Sequence, residues 1–184
     1  MIRIGQHRQV FLAACCVFVT FVSRPDGASA AHVTYEAKGY SFDYPDAWHL
    51  DEQDMVLGGP VTLMSYPKRE RRHGGFLPPG GMEINVQVFS RETDENDILV
   101  LAGDTHVHRS VQAIAHCGVL RSDFDYAFTD SVTYHGTVML VHVSAKLFRI
   151  MLVYEHISPD AAETAMGEAA LVQIISTLST QGSK

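Results

Sequence analysis

Cysteine is scarce. Three occur in 184 residues, and two of them, Cys15 and Cys16, sit in an N-terminal apolar run, leaving Cys117 alone beyond it. One thiol makes no internal disulfide, so the folded part must be held by its core. That apolar run, Val10 to Val22, has 13 residues, short of the roughly 20 needed to span a bilayer but suited to a signal-peptide core. Catalytic signatures are also missing. There is no Gly-x-Ser-x-Gly, P-loop, dinucleotide fingerprint, His-Glu-x-x-His or Cys-x-x-Cys, so the chemistries those frames support are not indicated. Positive charge is sparse, with 14 Lys and Arg against 21 Asp and Glu, a formal −7. An acidic surface argues against nucleic acid, and against anionic lipid, as a partner of the whole surface.

What is present begins with an export signal. Arg3, His7 and Arg8 precede the apolar run, Pro25 and Gly27 end it, and Ala28-Ser29-Ala30 is a small-x-small cleavage site. The expected division is a signal peptide over 1–30, one domain over 31–178 and a disordered polar tail over 179–184. Cleavage after Ala30 leaves 154 residues with 11 basic and 20 acidic side chains, a formal −9. The expected location is periplasmic or extracellular, with no stable membrane span once the signal is removed. Leu12-Ala13-Ala14-Cys15 also resembles a lipobox, but the apolar residues continuing to Val22 favour ordinary cleavage over lipid anchoring at Cys15.

The domain opens on Gly39 to Leu50. Tyr40, Phe42 and Tyr44 alternate with Ser41 and Asp43, the period of a strand with one buried face. Pro45 ends it, and Trp48, the only tryptophan, is placed to anchor the next segment. Val33–Glu36 reads as a first edge strand. Val61–Tyr66 is a strand, and Met82–Phe89 places Ile84, Val86 and Val88 on one face with Glu83, Asn85 and Gln87 on the other. Thr93 to Asp97 has the composition of a helix start, followed by a short helix over Ile98–Ala102 that stops at Gly103. Further strands are expected in Thr105–Ala115, Val119–Phe128 and Thr133–Ser144, with breaks at Gly118 and His135-Gly136. Leu147–Tyr154 has the composition of a central strand covered on both faces, entered by a hairpin turn at Ser144–Lys146. Ser158-Pro159-Asp160 is a helix start with serine as the cap, and Met166, Leu171, Ile174, Ile175 and Leu178 give the helix its apolar face. Strands, a short helix, more strands and a closing helix make an α+β domain, a mainly antiparallel sheet flanked by helices.

The run Gly-Tyr-Ser-Phe-Asp-Tyr-Pro-Asp-Ala-Trp, the strand pair Thr137–Tyr154 and the helix Pro159–Leu178 with Ile174-Ile175-Ser176 resemble the PsbP-like and Mog1-like α/β/α sandwich group. The resemblance implies that fold, an amphipathic C-terminal helix and a non-enzymatic role. It carries no functional residues, and the segment Pro67–Gly81 has no place in the group's pattern.

That segment holds the one concentration of positive charge, Lys68, Arg69, Arg71, Arg72 and His73, among paired glycines and prolines. It reads as a long exposed loop able to dock an acidic protein partner or anionic surface through Lys68, Arg69, Arg71 and Arg72, with Phe76-Leu77 as an apolar tip; the bland alternative is a solvated loop. His106 and His108 stand two apart, the spacing that puts both imidazoles on one strand face, where Zn²⁺ or Cu²⁺ is the natural metal. Asp104, His116, Cys117 and His135 are the further ligands the fold would have to supply. Cys117 as a nucleophile needs a facing base, and its neighbour His116 points to the opposite strand face, so a small buried hydrophobe is the simpler reading. Asp123 and Asp125 share a face with Arg121 and read as solvated. The leading expectation is an exported non-enzymatic accessory or binding protein working through protein contacts; the alternative is an exported metal-binding protein using His106 and His108.

Overall fold

A computed structural model describes residues 29–56, 58–72, 74, 76–90, 108–115, 117–130, 132–155 and 159–180. The expected signal peptide up to residue 28, the expected helix at 98–102 and the tail from 181 lie outside the described residues.

The opening strand behaves as its alternation predicts. Tyr40, Phe42 and Tyr44 of β2 (Tyr40–Pro45) are buried, and Ser41 and Asp43 are half-buried between them. β2 is the middle of a small antiparallel sheet, with β1 (Ala30–Tyr35) along one edge and β10 (Ser179–Thr180) along the other. Ser179 and Thr180, expected in the free tail, instead pair with Ser41 and Tyr40. Pro45 ends β2 and accepts a hydrogen bond from the Trp48 amide at 2.9 Å, turning the chain so that Trp48 is buried.

The larger sheet is wholly antiparallel. It contains β3 (His49–Asp51), β4 (Val61–Met64), β5 (Met82–Ser90), β6 (His108–Ile114), β7 (Cys117–Thr129), β8 (Val132–Val143) and β9 (Lys146–Tyr154) in the spatial order β3-β4-β5-β9-β8-β7-β6. Two meanders, β3 to β5 and β6 to β9, are joined by pairing β5 with β9 from Met82↔Tyr154 to Ser90↔Lys146. A short helix, α1 (Glu52–Val56), follows β3. No helix among the described residues is long and apolar enough to cross a membrane.

One face of this sheet carries Val61, Leu63, Ile84, Val86, Val119, Met139, Val141, Phe148, Ile150 and Leu152, all at 0% exposure. The closing helix α2 (Ala161–Thr177) and the small sheet cover it. Tyr40 forms edge contacts with Tyr35 (5.6 Å between ring centres) and Phe148 (5.3 Å), tying the two sheets together, a geometry aromatic rings favour. The other face carries Phe124, Val138, Leu140 and Leu147 in a second apolar cluster.

Three local expectations are corrected. The α2 cap is Asp160, not Ser158. Its carboxylate accepts from the amides of Ala162 and Glu163 at 2.8 Å each, and Glu163 accepts from the Asp160 amide at 2.9 Å. Aspartate with glutamate three residues on completes a reciprocal capping box, and Ser158 has no such acid at that spacing. Met166 faces outward at 46% exposure, while Gly167 and Ala170 take the buried positions. Gly136 does not break β8, which runs through it. The Phe124 ring of β7 lies over it, so close that a Cβ at Gly136 would come within 2.3 Å of the ring.

Gly167 lets α2 approach β9. A Cβ there would lie 2.7 Å from both Leu152 Cδ2 and the Tyr154 hydroxyl oxygen. Alanine favours a helix interior over glycine by about 1 kcal/mol, but overpacking between buried elements costs roughly 1–3 kcal/mol. Gly167→Ala is therefore expected to lower the urea unfolding midpoint despite its better helix propensity. Met166→Ala, one residue away on the outer face, is expected to leave it nearly unchanged.

Candidate functional site: a basic loop pinned to the end of the sheet

The segment between β4 and β5 is not a free loop. Lys68–Glu70 form a single 3-10 turn, and Leu77 and Pro78 are buried. The cause is a pair of carboxylates on the strands beneath. Asp51, the last residue of β3, has a side chain only 3% exposed, and Glu83, near the start of β5, is 10% exposed. Such groups cannot stay ionised out of water without partners, and the loop supplies them. Lys68 Nζ donates to Asp51 Oδ1 at 2.6 Å and to Gln53 Oε1 at 3.2 Å. Arg71 lies between the two acids, with NH1 3.6 Å from Asp51 Oδ2 and NH2 3.2 Å from Glu83 Oε2. Tyr66 donates its hydroxyl proton to Glu83 Oε1.

Burial opposes ionisation of Asp51. The Lys68 hydrogen bond, the Gln53 amide and the charges of Lys68 and Arg71 outweigh it and hold the carboxyl below its ordinary value. Tyr66 is pushed up, first by burial and then by its bond to Glu83.

The far end of the loop is held by aromatic contacts. Phe76 meets Phe128 edge-on at 5.0 Å, Phe128 leans on Tyr134 at 5.3 Å, and the Tyr134 hydroxyl accepts from the Leu77 amide at 3.2 Å. Phe76 is thus half-buried against the β7–β8 hairpin rather than an exposed tip. Lys68 and Arg71 are engaged inward. Of the four loop cations expected to face a partner, Arg69 and Arg72 remain exposed with no ion pair among the described residues. The sequence reading missed Asp51 and Glu83 as the acids that anchor the loop. The available signal was Glu83 standing at the start of a strand just beyond an arginine run.

The remaining candidates separate. His106 and His116 lie outside the described residues, and His108 opens β6 opposite Asp123. Among the described residues no group of three or more His, Cys, Asp and Glu side chains is placed to hold a metal ion. His135 Nδ1 is 3.0 Å from Asp125 Oδ1. Cys117 is half-buried and packs on the main core. Arg121, Asp123 and Asp125 are not a solvated row. Arg121 bonds Asp123 at 2.9 Å and reaches Glu168 of α2 at 2.7 Å, while Thr137 donates to Asp123 at 2.7 Å, so this cluster clamps the helix to the sheet.

No family model matches the chain, and no curated protein matches it. It is similar to several solved structures. A crystal structure from Bacteroides thetaiotaomicron matches at 13% identity and a TM-score of 0.48, over 78% of this chain and 45% of that one, so the chain spans less than half of that protein. LpqN of Mycobacterium tuberculosis, described as involved in cell envelope biogenesis, matches at 11% identity and 0.45, over 85% and 88%. The solution structure of cyanobacterial PsbP from Synechocystis sp. PCC 6803 matches at 11% and 0.48, over 86% and 98%.

A carboxyl held below its unfolded value stabilises the fold above that value, near 3.8, and the contribution fades as pH falls toward the folded one. Asp51→Asn is expected to lower stability at pH 6 and to flatten the loss of stability between pH 4 and 2.5. Urea midpoints across that range measure it, and an unchanged acid slope would count against the anchoring role of Asp51.

Proposed function

We propose that this chain is an exported, non-enzymatic accessory protein that works by docking an acidic protein partner on the face that carries Arg69 and Arg72. The observation that carries this reading is the division of labour within the loop. Lys68 and Arg71 are tied to Asp51 and Glu83, and Arg69 and Arg72, from the same short segment, stay exposed. Anchoring removes much of the ordering cost that a floppy loop meets on binding. Two arginines on a fixed backbone suit carboxylates, because each guanidinium binds an acid in a planar, two-pronged geometry. On a chain of net charge −7, such a patch also selects orientation, since acidic surroundings repel an acidic partner everywhere else.

The test is chemical cross-linking in cells that make the protein, followed by mass spectrometry. Wild type is compared with Arg69→Glu/Arg72→Glu and with Lys38→Glu as a control on another part of the surface. The expected result is one cross-linked partner retained by the control and reduced at least tenfold by the double charge reversal. Equal recovery from all three proteins contradicts the reading.

A further inference from the structure

Arg149 is out of place for its position. It stands on β9, the central strand of seven, in a run that is otherwise nearly all apolar, Leu147 to Tyr154. Its side chain lies on the face turned away from α2, between Gln87 of β5 and Leu140 of β8. It is half-buried, and burial alone pulls its guanidinium below the usual value, with no acid to offset it. Among the described residues, these acids serve other partners: Asp43 holds His32, Asp51 and Glu83 hold Lys68 and Arg71, Asp123 and Glu168 hold Arg121, and Asp125 holds His135. No ion pair to Arg149 exists among the described residues.

Its neighbours are arranged in one sense. Arg149 NH2 donates to Gln87 Oε1 at 2.7 Å. A guanidinium has no acceptor, so this bond fixes the Gln87 amide with its NH₂ group turned away from the arginine. Two residues back along the same face of β5, Asn85 Oδ1 accepts from the Thr62 hydroxyl at 2.8 Å. The oxygens of both amides are therefore engaged, and neither amide nitrogen has a hydrogen-bond partner among the described residues. Four guanidinium N–H groups remain after the bond to Gln87, by the ordinary donor count of arginine. The Phe89 ring, 5.6 Å from the guanidinium carbon, backs the cation from one side. The result is a row of N–H donors along one face of the sheet, beside a positive charge with no ion pair among the described residues, on strands rather than on a loop.

We propose that Arg149, Gln87 and Asn85 form a binding site for an oxyanion, the carboxylate or phosphate group of a ligand. The cation supplies the charge, the two amides fix the orientation of the anion, and the sheet holds all three without rearrangement. The site is separate from the loop at 67–81, and either can fail without the other.

The test is an NMR titration of the whole protein with sodium phosphate and, separately, sodium acetate, each against sodium chloride at matched ionic strength. The Arg149 Nε–H and the Asn85 and Gln87 side-chain amide resonances are expected to shift saturably with phosphate, acetate or both, and the stronger binder identifies the ligand group. Arg149→Gln is expected to weaken that binding at least tenfold, with Arg149→Lys intermediate. Absence of saturable shifts in wild type with both anions, which requires no variant to fold, overturns the proposal. So does undiminished binding by folded Arg149→Gln.

Discussion

The pairing of β5 with β9 is the contact on which the rest depends. Each belongs to its own meander, and β5, in the middle of the chain, pairs along its whole length with the last long strand, from Met82↔Tyr154 to Ser90↔Lys146. This seam makes one sheet of two pieces. It also gives each face its character, because neighbours across an antiparallel pair share a side. Ile84, Val86, Ile150 and Leu152 form the floor on which α2 rests. Glu83, Asn85, Gln87 and Arg149 fall on the other side. The loop anchor and the donor row are both consequences of one register, and a shift by a single residue would exchange the two faces.

The charged groups of the sheet differ in how they are neutralised. Glu83 and Asp51 are closed off by the loop, and the loop is ordered because those carboxylates need cations. Arg121 is closed off by Asp123 and Glu168, on the side facing α2. Among the described residues Arg149 has only neutral partners. Charges drawn out of water in folded domains are ordinarily paired, and half-buried Arg149 is the one to which the proposed anion would bring that pairing.

Much of the fold was legible because its strands alternate cleanly. Tyr40, Phe42 and Tyr44, and then Ile84, Val86 and Val88, declare their buried face within a few residues, and the start of the closing helix is marked by a local signal at Pro159-Asp160. What was not legible depends on residues distant in sequence. Glycine at 136 looks like a strand break until the Phe124 ring is seen to need the space. The run from Lys68 to Arg72 looks uniformly solvated because Asp51 and Glu83, which claim two of its charges, lie on different strands. Arg121 looked exposed because Glu168 comes from the helix at the other end of the chain. Long-range charge pairing leaves no periodic trace, so charge runs over-predict free surface.

The central claim is that ion pairing to the sheet, rather than the loop's own composition, orders the described loop residues 67–72, 74, 76 and 77. Backbone hydrogen exchange in Arg71→Met beside Arg69→Ser tests it directly. The amides to follow are Glu70, Arg71 and Leu77, which donate to Pro67 O, Lys68 O and the Tyr134 hydroxyl. Exchange at these three is expected to quicken by tenfold or more in Arg71→Met and to remain at the wild-type rate in Arg69→Ser. Equal exchange in the two variants would contradict the claim, and the loop's order would then have to come from the Phe76 and Tyr134 contacts alone.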